Sequence, residues 1–164
     1  MKKLLLLGDE ALAHGAIDAG ISGFYGYPGT PSTEILEYVQ KNKVAIEKNL
    51  HRTWASNEKT AMESAVGMSF AGKRTMVTMK HIGLNVAADP FMNSAMTGAN
   101  GGLLVTVADD PSMHSSQNEQ DSRFFANFAL IPCIEPSDQQ ECYDASKHGF
   151  ELSEKFKLPV MVRL

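Results

Sequence analysis

Residues 101–109, GGLLVTVAD, run apolar without alternation between two glycines and an acidic turn. A strand wet on one face alternates polar and apolar side chains. A short unbroken apolar run therefore belongs in a sheet covered on both faces. Such sheets are mostly parallel, their strands joined by crossover helices. The rest of the chain reads the same way. Strands are expected at GFYGYP (23–28), RTMVTM (74–79), ALIPCIEPS (129–137) and LPVMVRL (158–164). Helices are expected at 32–42, where Ile35, Leu36 and Val39 share one face, at 58–72, at 85–98 with Pro90 as a kink or a true start, and at 137–156. The fold class is α/β: an open, mainly parallel sheet with helices on both faces.

The 164 residues make one domain, residues 1–164, with enough chain to bury a core. The net charge of −4 and the lack of a basic stripe exclude nucleic acid as the main partner. The apolar stretch in MKKLLLLGDEALAHG is shorter than the roughly 7–15 residues of a secretory core. No run approaches the ~20 residues of a membrane span, so no membrane partner and a cytoplasmic location are expected. Cys133 and Cys142 read as reduced, packed or half-exposed thiols. The five histidines show neither an HExxH pattern nor a Cys/His pairing, so no metal site is expected in this chain. The abrupt stop after a strand points to a fragment of a longer subunit.

In parallel sheets ligands gather at the carboxyl ends of the strands, which directs attention to three turns. In GYPGTPSTE (26–34), Thr30 is placed to cap the next helix, with Pro31 at its first position. The same turn, with Pro28 and Gly29, would present free N–H groups to a ligand. In MKHIGLN (79–85), Lys80 and His81 follow a strand directly and Gly83 permits a tight turn. This reads either as a carboxylate-binding, proton-moving pair or as a solvated loop before a helix at Asn85. In ADDPSMHSSQNEQDSR (108–123), nearly every residue is polar, including His114 and Arg123. That loop is either ordinary surface or a hydrogen-bonding platform for a polar substrate. Glu58, in the first turn of its helix, gains about 0.3–1 kcal/mol from the helix dipole whether or not it has another task. Behind it, Ala61, Ala65, Ser69 and Gly72 fall at near four-residue spacing, a face that another backbone or a flat ligand could approach closely.

Taken together, YPGTPSTEI, SNEKTAMESAVGMSFAGKR, MKHIGLNVAADP, TGANGG, VADDPSMHSSQNEQDSR and PSDQQE closely resemble the start of the alpha subunits of indolepyruvate ferredoxin oxidoreductases. The likeness runs from about Gly8 to Arg163. More broadly, the chain resembles the pyrimidine-binding domain of thiamine-diphosphate enzymes in the 2-oxoacid:ferredoxin oxidoreductase superfamily. The resemblance implies that Glu58 is the desolvated carboxyl that hydrogen-bonds the aminopyrimidine ring, with Pro28, Gly29, Thr30 and Gly83 against the cofactor. It implies catalytic roles for Glu58, His81 and His114, and substrate contacts from Thr30, Lys80, His81, His114 and Arg123. The implied reaction is oxidative decarboxylation of an aryl pyruvate, with coenzyme A and ferredoxin as partners.

Magnesium and [4Fe-4S] clusters are implied in the rest of the full protein, since this chain has neither a GDG…N pattern nor cluster cysteines. A diphosphate-binding domain, a second subunit and a homo-oligomeric assembly are implied with them, and the isolated chain is expected to be inactive. Three other readings stay open from sequence: an oxidoreductase for pyruvate or another 2-oxoacid, a non-oxidative thiamine decarboxylase, and a non-catalytic α/β domain that docks a partner subunit.

Overall fold

The computed structural model describes residues 3–164. Its elements in chain order are α1 (Gly8–Asp18), β1 (Gly23–Gly26), α2 (Thr33–Lys41), α3 (Lys43–Glu47), β2 (His51–Trp54), α4 (Glu58–Phe70) and β3 (Thr75–Lys80). They continue with α5 (His81–Val86), α6 (Ala88–Thr97), β4 (Leu103–Ala108), α7 (Arg123–Ala129), β5 (Cys133–Ile134), α8 (Gln139–Phe156) and β6 (Val160–Arg163). All the strand pairings are parallel, in the order β2-β1-β3-β4-β6-β5. Every residue of β4 is buried, as its unbroken apolar run requires.

The strands' alternation feeds two separate cores. Met76, Leu104 and Val162 face α1, α2 and α8, where Leu12, Ile17, Leu36 and Phe150 pack. Val77, Met79, Val105 and Val107 face the opposite layer, where Met62, Ala65, Leu84 and Phe91 pack. Full burial of one such side chain stabilises by roughly 1.5–3 kcal/mol, so both layers are held firmly to the sheet. The connection leaving β1 runs on the first face towards β2, and the one leaving β3 runs on the second face towards β4. The crevice between the carboxyl ends of β1 and β3 is therefore the switch point of the sheet.

Several details differ from the sequence expectations. Helix α1 and strand β2 carry weak periodic signals. Ala11, Ala13, Gly15 and Ala16 are buried almost all round α1, and β2 is a short edge strand of mixed exposure. The expected strand at 129–137 shrinks to two residues: α7 ends at Ala129, Leu130 caps it with left-handed backbone, and only Cys133 and Ile134 pair with β6. The residues from 85 to 98 join a helix that starts earlier, at His81, and breaks at Ala87. Pro90 lies in the first turn of α6, where its missing N–H costs nothing.

The small-residue face of α4 is not open to a ligand. Ala61, Ala65 and Ser69 are buried in the chain's own core, and Ser69 Oγ donates to the Gly101 carbonyl at 2.6 Å. None of the described helices is long and apolar enough to cross a membrane.

Candidate functional site

Because the strands are parallel, the turns after β1, β2, β3 and β4 emerge along one edge. The turn after β1 does not cap α2 through Thr30, and Pro31 is not the first helical residue; α2 begins at Thr33 with Ser32 before it. The turn closes on Gly29 instead. Its N–H donates to Thr33 Oγ1 at 2.9 Å, and its carbonyl accepts from Ser32 Oγ at 2.7 Å. Thr30 is thereby relieved of a capping role and, like Pro28, stands in the turn itself.

Glu58 opens α4 after β2. The cap is Asn57, whose Oδ1 accepts from Thr60 N–H at 2.9 Å. Lys59 turns to Asp89 at 3.1 Å. The Glu58 carboxyl is left out of these local bonds, and the residue is partly exposed in this chain. It lies flat against Gly83. A Cβ added at Gly83 would sit 2.5 Å from Glu58 Oε1 and 2.6 Å from its Cγ. Gly83 is thus inside helix α5, not in a tight turn, and its missing side chain is what lets the carboxyl approach.

Lys80 ends β3 and spans two turns. Its stem passes Gly29, where an added Cβ would lie 3.0 Å from Lys80 Cδ. Its Nζ donates to the Ser115 carbonyl at 2.8 Å. That bond is to a neutral acceptor, so two of the three ammonium hydrogens remain for an anion. His81, the next residue, is fully buried, and its Nε2 lies 3.1 Å from the Asn118 carbonyl and 3.2 Å from Asn118 Oδ1.

The polar loop after β4 is a closed, internally bonded unit. Asp109, buried at its base, accepts from Ser122 N–H at 3.1 Å, Ser122 Oγ at 2.5 Å and Arg163 Nε at 2.9 Å. Asp110 accepts from Ser116 Oγ at 2.6 Å, Ser115 N–H at 2.7 Å and His114 N–H at 3.2 Å. The Ser116 hydroxyl and the backbone N–H groups hold the Asp110 carboxyl below its usual range. Between these anchors Ser112 and Met113 both adopt left-handed backbone (φ 66° and 57°), an uncommon pair of non-glycine residues at the loop tip. Gln120 and Asn85 exchange amide hydrogen bonds at 3.0 and 3.1 Å, and Gln120 Nε2 also donates to the His81 carbonyl at 3.3 Å.

The edge therefore brings Thr30, Gly29, Lys80 and the 109–122 loop together, and sets Glu58 against Gly83 in α5, the helix that begins at His81. His114 lies exposed on the loop. Arg123 is drawn away: its guanidinium bonds Asp121 at 2.7 Å and Glu135 at 3.0 Å. Those bonds pull the Asp121 carboxyl down to about 2 and push Arg123 up. Sequence reasoning missed Asp109, Asp110, Ser122 and Arg163. The available signal was the acid pair placed directly after a wholly apolar strand, where one acid must turn inward.

The family model described as pyruvate flavodoxin/ferredoxin oxidoreductase, thiamine diphosphate-binding, matches residues 14–164. The chain is 52% identical over 164 residues to an indolepyruvate oxidoreductase subunit IorA from Archaeoglobus fulgidus, covering 99% of this chain and 26% of that one. A 2-oxoglutarate synthase subunit KorA from Methanothermobacter thermautotrophicus is 29% identical over 174 residues, covering 98% of this chain and 44% of that one. Among solved structures, a 2-oxoglutarate:ferredoxin oxidoreductase from Magnetococcus marinus, with 2-oxoglutarate, coenzyme A and succinyl-CoA bound, superposes with a TM-score of 0.80 at 25% identity. That match covers 98% of this chain and 29% of that one. The chain spans about a quarter of the length of the indolepyruvate oxidoreductase subunit it matches.

Proposed function

Because this chain belongs to the thiamine-diphosphate-binding family of pyruvate flavodoxin/ferredoxin oxidoreductases, we propose that it forms the pyrimidine-binding domain of an enzyme that oxidatively decarboxylates indolepyruvate and other aryl pyruvates. The products are aryl-acetyl-CoA, carbon dioxide and reduced ferredoxin. The identity of 52% to an indolepyruvate oxidoreductase subunit, against 29% to a 2-oxoglutarate synthase subunit, supports the aryl substrate over other 2-oxoacids. Magnesium, [4Fe-4S] clusters, the diphosphate-binding domain and the second subunit lie in the rest of the assembly.

The observation that carries the reading is the Glu58 carboxyl, without a hydrogen-bond or ion-pair partner among the described residues and seated on Gly83 at the sheet's carboxyl edge. The missing side chain at Gly83 is what lets the carboxyl rest on α5, since a Cβ there would displace it. Thiamine diphosphate, when bound, supplies the carbon nucleophile and the electron sink. Glu58 would hold the aminopyrimidine through its carboxyl and would keep the proton on which the protonation state of the ring depends. The Gly29–Thr30 turn borders the cofactor, and Lys80 Nζ offers its free hydrogens to the substrate carboxylate. His114 lies on the loop beside that ammonium.

Only half of a cofactor cradle is made by these residues. The isolated 164-residue chain is accordingly inactive and holds thiamine diphosphate weakly or not at all. The test is the complete enzyme, assayed anaerobically for viologen reduction with indolepyruvate, phenylpyruvate, pyruvate and 2-oxoglutarate. The aryl substrates are expected to give the highest kcat/KM; preference for pyruvate or 2-oxoglutarate would overturn the substrate assignment.

A further inference from the structure

His81 has the residue type of a proton carrier and the surroundings of a structural anchor. It is fully buried. Its Nε2 faces two acceptors, the carbonyl and Oδ1 of Asn118, and a backbone carbonyl only accepts, so Nε2 carries the hydrogen and donates it. Its Nδ1 is buried and has no hydrogen-bond partner among the described residues. A proton handler must reach the proton it moves, directly or through one water. Nε2 is spent on Asn118, and Nδ1 is shut off from solvent with no hydrogen-bond partner among the described residues to pass a proton to.

The ring and the backbone of His81 grip the same loop at two points. Nε2 holds Asn118, and the His81 carbonyl accepts from Gln120 Nε2. The preceding Lys80 holds Ser115. On its other side His81 starts α5, and two residues later Gly83 seats Glu58. One six-residue helix thus ties the loop that carries His114 to the carboxyl beside the cofactor.

We propose that His81 is a positioning residue, which fixes the 109–122 loop relative to Glu58 through Asn118 and exchanges no proton with the substrate. This rests on the functional reading above. The test uses the complete enzyme as wild type, His81→Phe and His81→Gln, the glutamine amide offering an N–H near the position of Nε2. Two readouts are taken: steady-state kinetics with indolepyruvate across pH, and amide hydrogen exchange over residues 111–121.

In His81→Phe the KM is expected to rise about tenfold with kcat within about threefold, while loop exchange quickens and the limbs of the pH–rate profile stay in place. His81→Gln is expected to restore most of both. Loss of a pH limb, a kcat loss of roughly a hundredfold at unchanged KM, or unchanged loop exchange in His81→Phe would overturn the proposal. If His81→Phe does not fold, His81→Asn takes its place, since the shorter amide keeps a polar group in the site but falls short of the Asn118 carbonyl that Nε2 reaches. Faster exchange there supports the proposal, and unchanged exchange overturns it. If the wild type turns over no 2-oxoacid, the functional reading falls. The exchange comparison then decides the role of His81 alone: faster in the phenylalanine variant and restored by glutamine, or unchanged and refuted.

Discussion

Three carboxylates stand along one edge of the sheet and are treated in opposite ways. Asp109 and Asp110 each accept three hydrogen bonds from the chain's own groups. Glu58 lies against a glycine, outside the bonds its neighbours make. A carboxylate with all its bonds made fixes a backbone. One with its oxygens free is available to something outside the chain. The comparison separates scaffold from chemistry at this edge better than residue type does, since all three residues are acids on a ligand-facing side.

Asp109→Ala breaks the scaffold side hardest. It strips the buried partner from Arg163 and both acceptors from Ser122. Arg163 keeps Glu135, but the buried Ser122 hydroxyl and N–H are left without an acceptor at about 1–3 kcal/mol, and denaturant unfolding should show a loss of that order. An effect below about 1 kcal/mol would mean the loop base is held by something else.

Gly83→Ala attacks the other side. The new Cβ would meet Glu58 Oε1 and Cγ, so the carboxyl must swing off the helix. Activity of the complete enzyme is expected to fall by about 10–100-fold, since a misplacement of about 1 Å costs on that order. Stability should change little, because alanine is a better helix former than glycine. Equal loss of stability and activity would blur the distinction.

A fourth acid sharpens the comparison at smaller amplitude. Asp9, in the first turn of α1, is pushed up to about 7, by burial first and then by the charges of Glu34 and Glu10. Its unfolded value is near 3.8, so between these pH values the folded state binds the proton and the unfolded state does not. Stability therefore falls as pH rises from about 4 towards 7 and levels off above that. Asp9→Asn should flatten this slope and stabilise the domain at pH 8 by about 1–3 kcal/mol, a range discounted for partial exposure. Thermal melts of both forms at pH 5 and pH 8 give the answer; equal slopes would contradict it.

Much of the fold was legible from pattern alone. Strands β3, β4 and β6 announce themselves by apolar runs, α2 by Ile35, Leu36 and Val39, and α8 by its length. What stayed hidden had its signal erased by burial or brevity. Helix α1 is lined by alanines on most sides, and β5 is only two residues long. At the edge, the sheet rule located the turns, because parallel strands send their carboxyl ends the same way. It could not distribute the hydrogen bonds within them. Arg123 is a substrate contact by the resemblance, but Asp121 two residues earlier engages it. His81 reads as a loop residue, but the helix begins at that residue. Non-local partners such as Ser122 with Asp109, or Arg163 with the same acid, leave no periodic trace at all.

The most direct test of the division between free and committed acids is anaerobic viologen reduction by the complete enzyme with indolepyruvate, coenzyme A and thiamine diphosphate, wild type against Glu58→Gln. A glutamine keeps the shape and removes the proton-holding carboxyl, so kcat is expected to drop by about 10²–10⁴-fold with the melting temperature unchanged. Equal turnover by the two folded forms would contradict the assignment of Glu58 as the group that serves the cofactor.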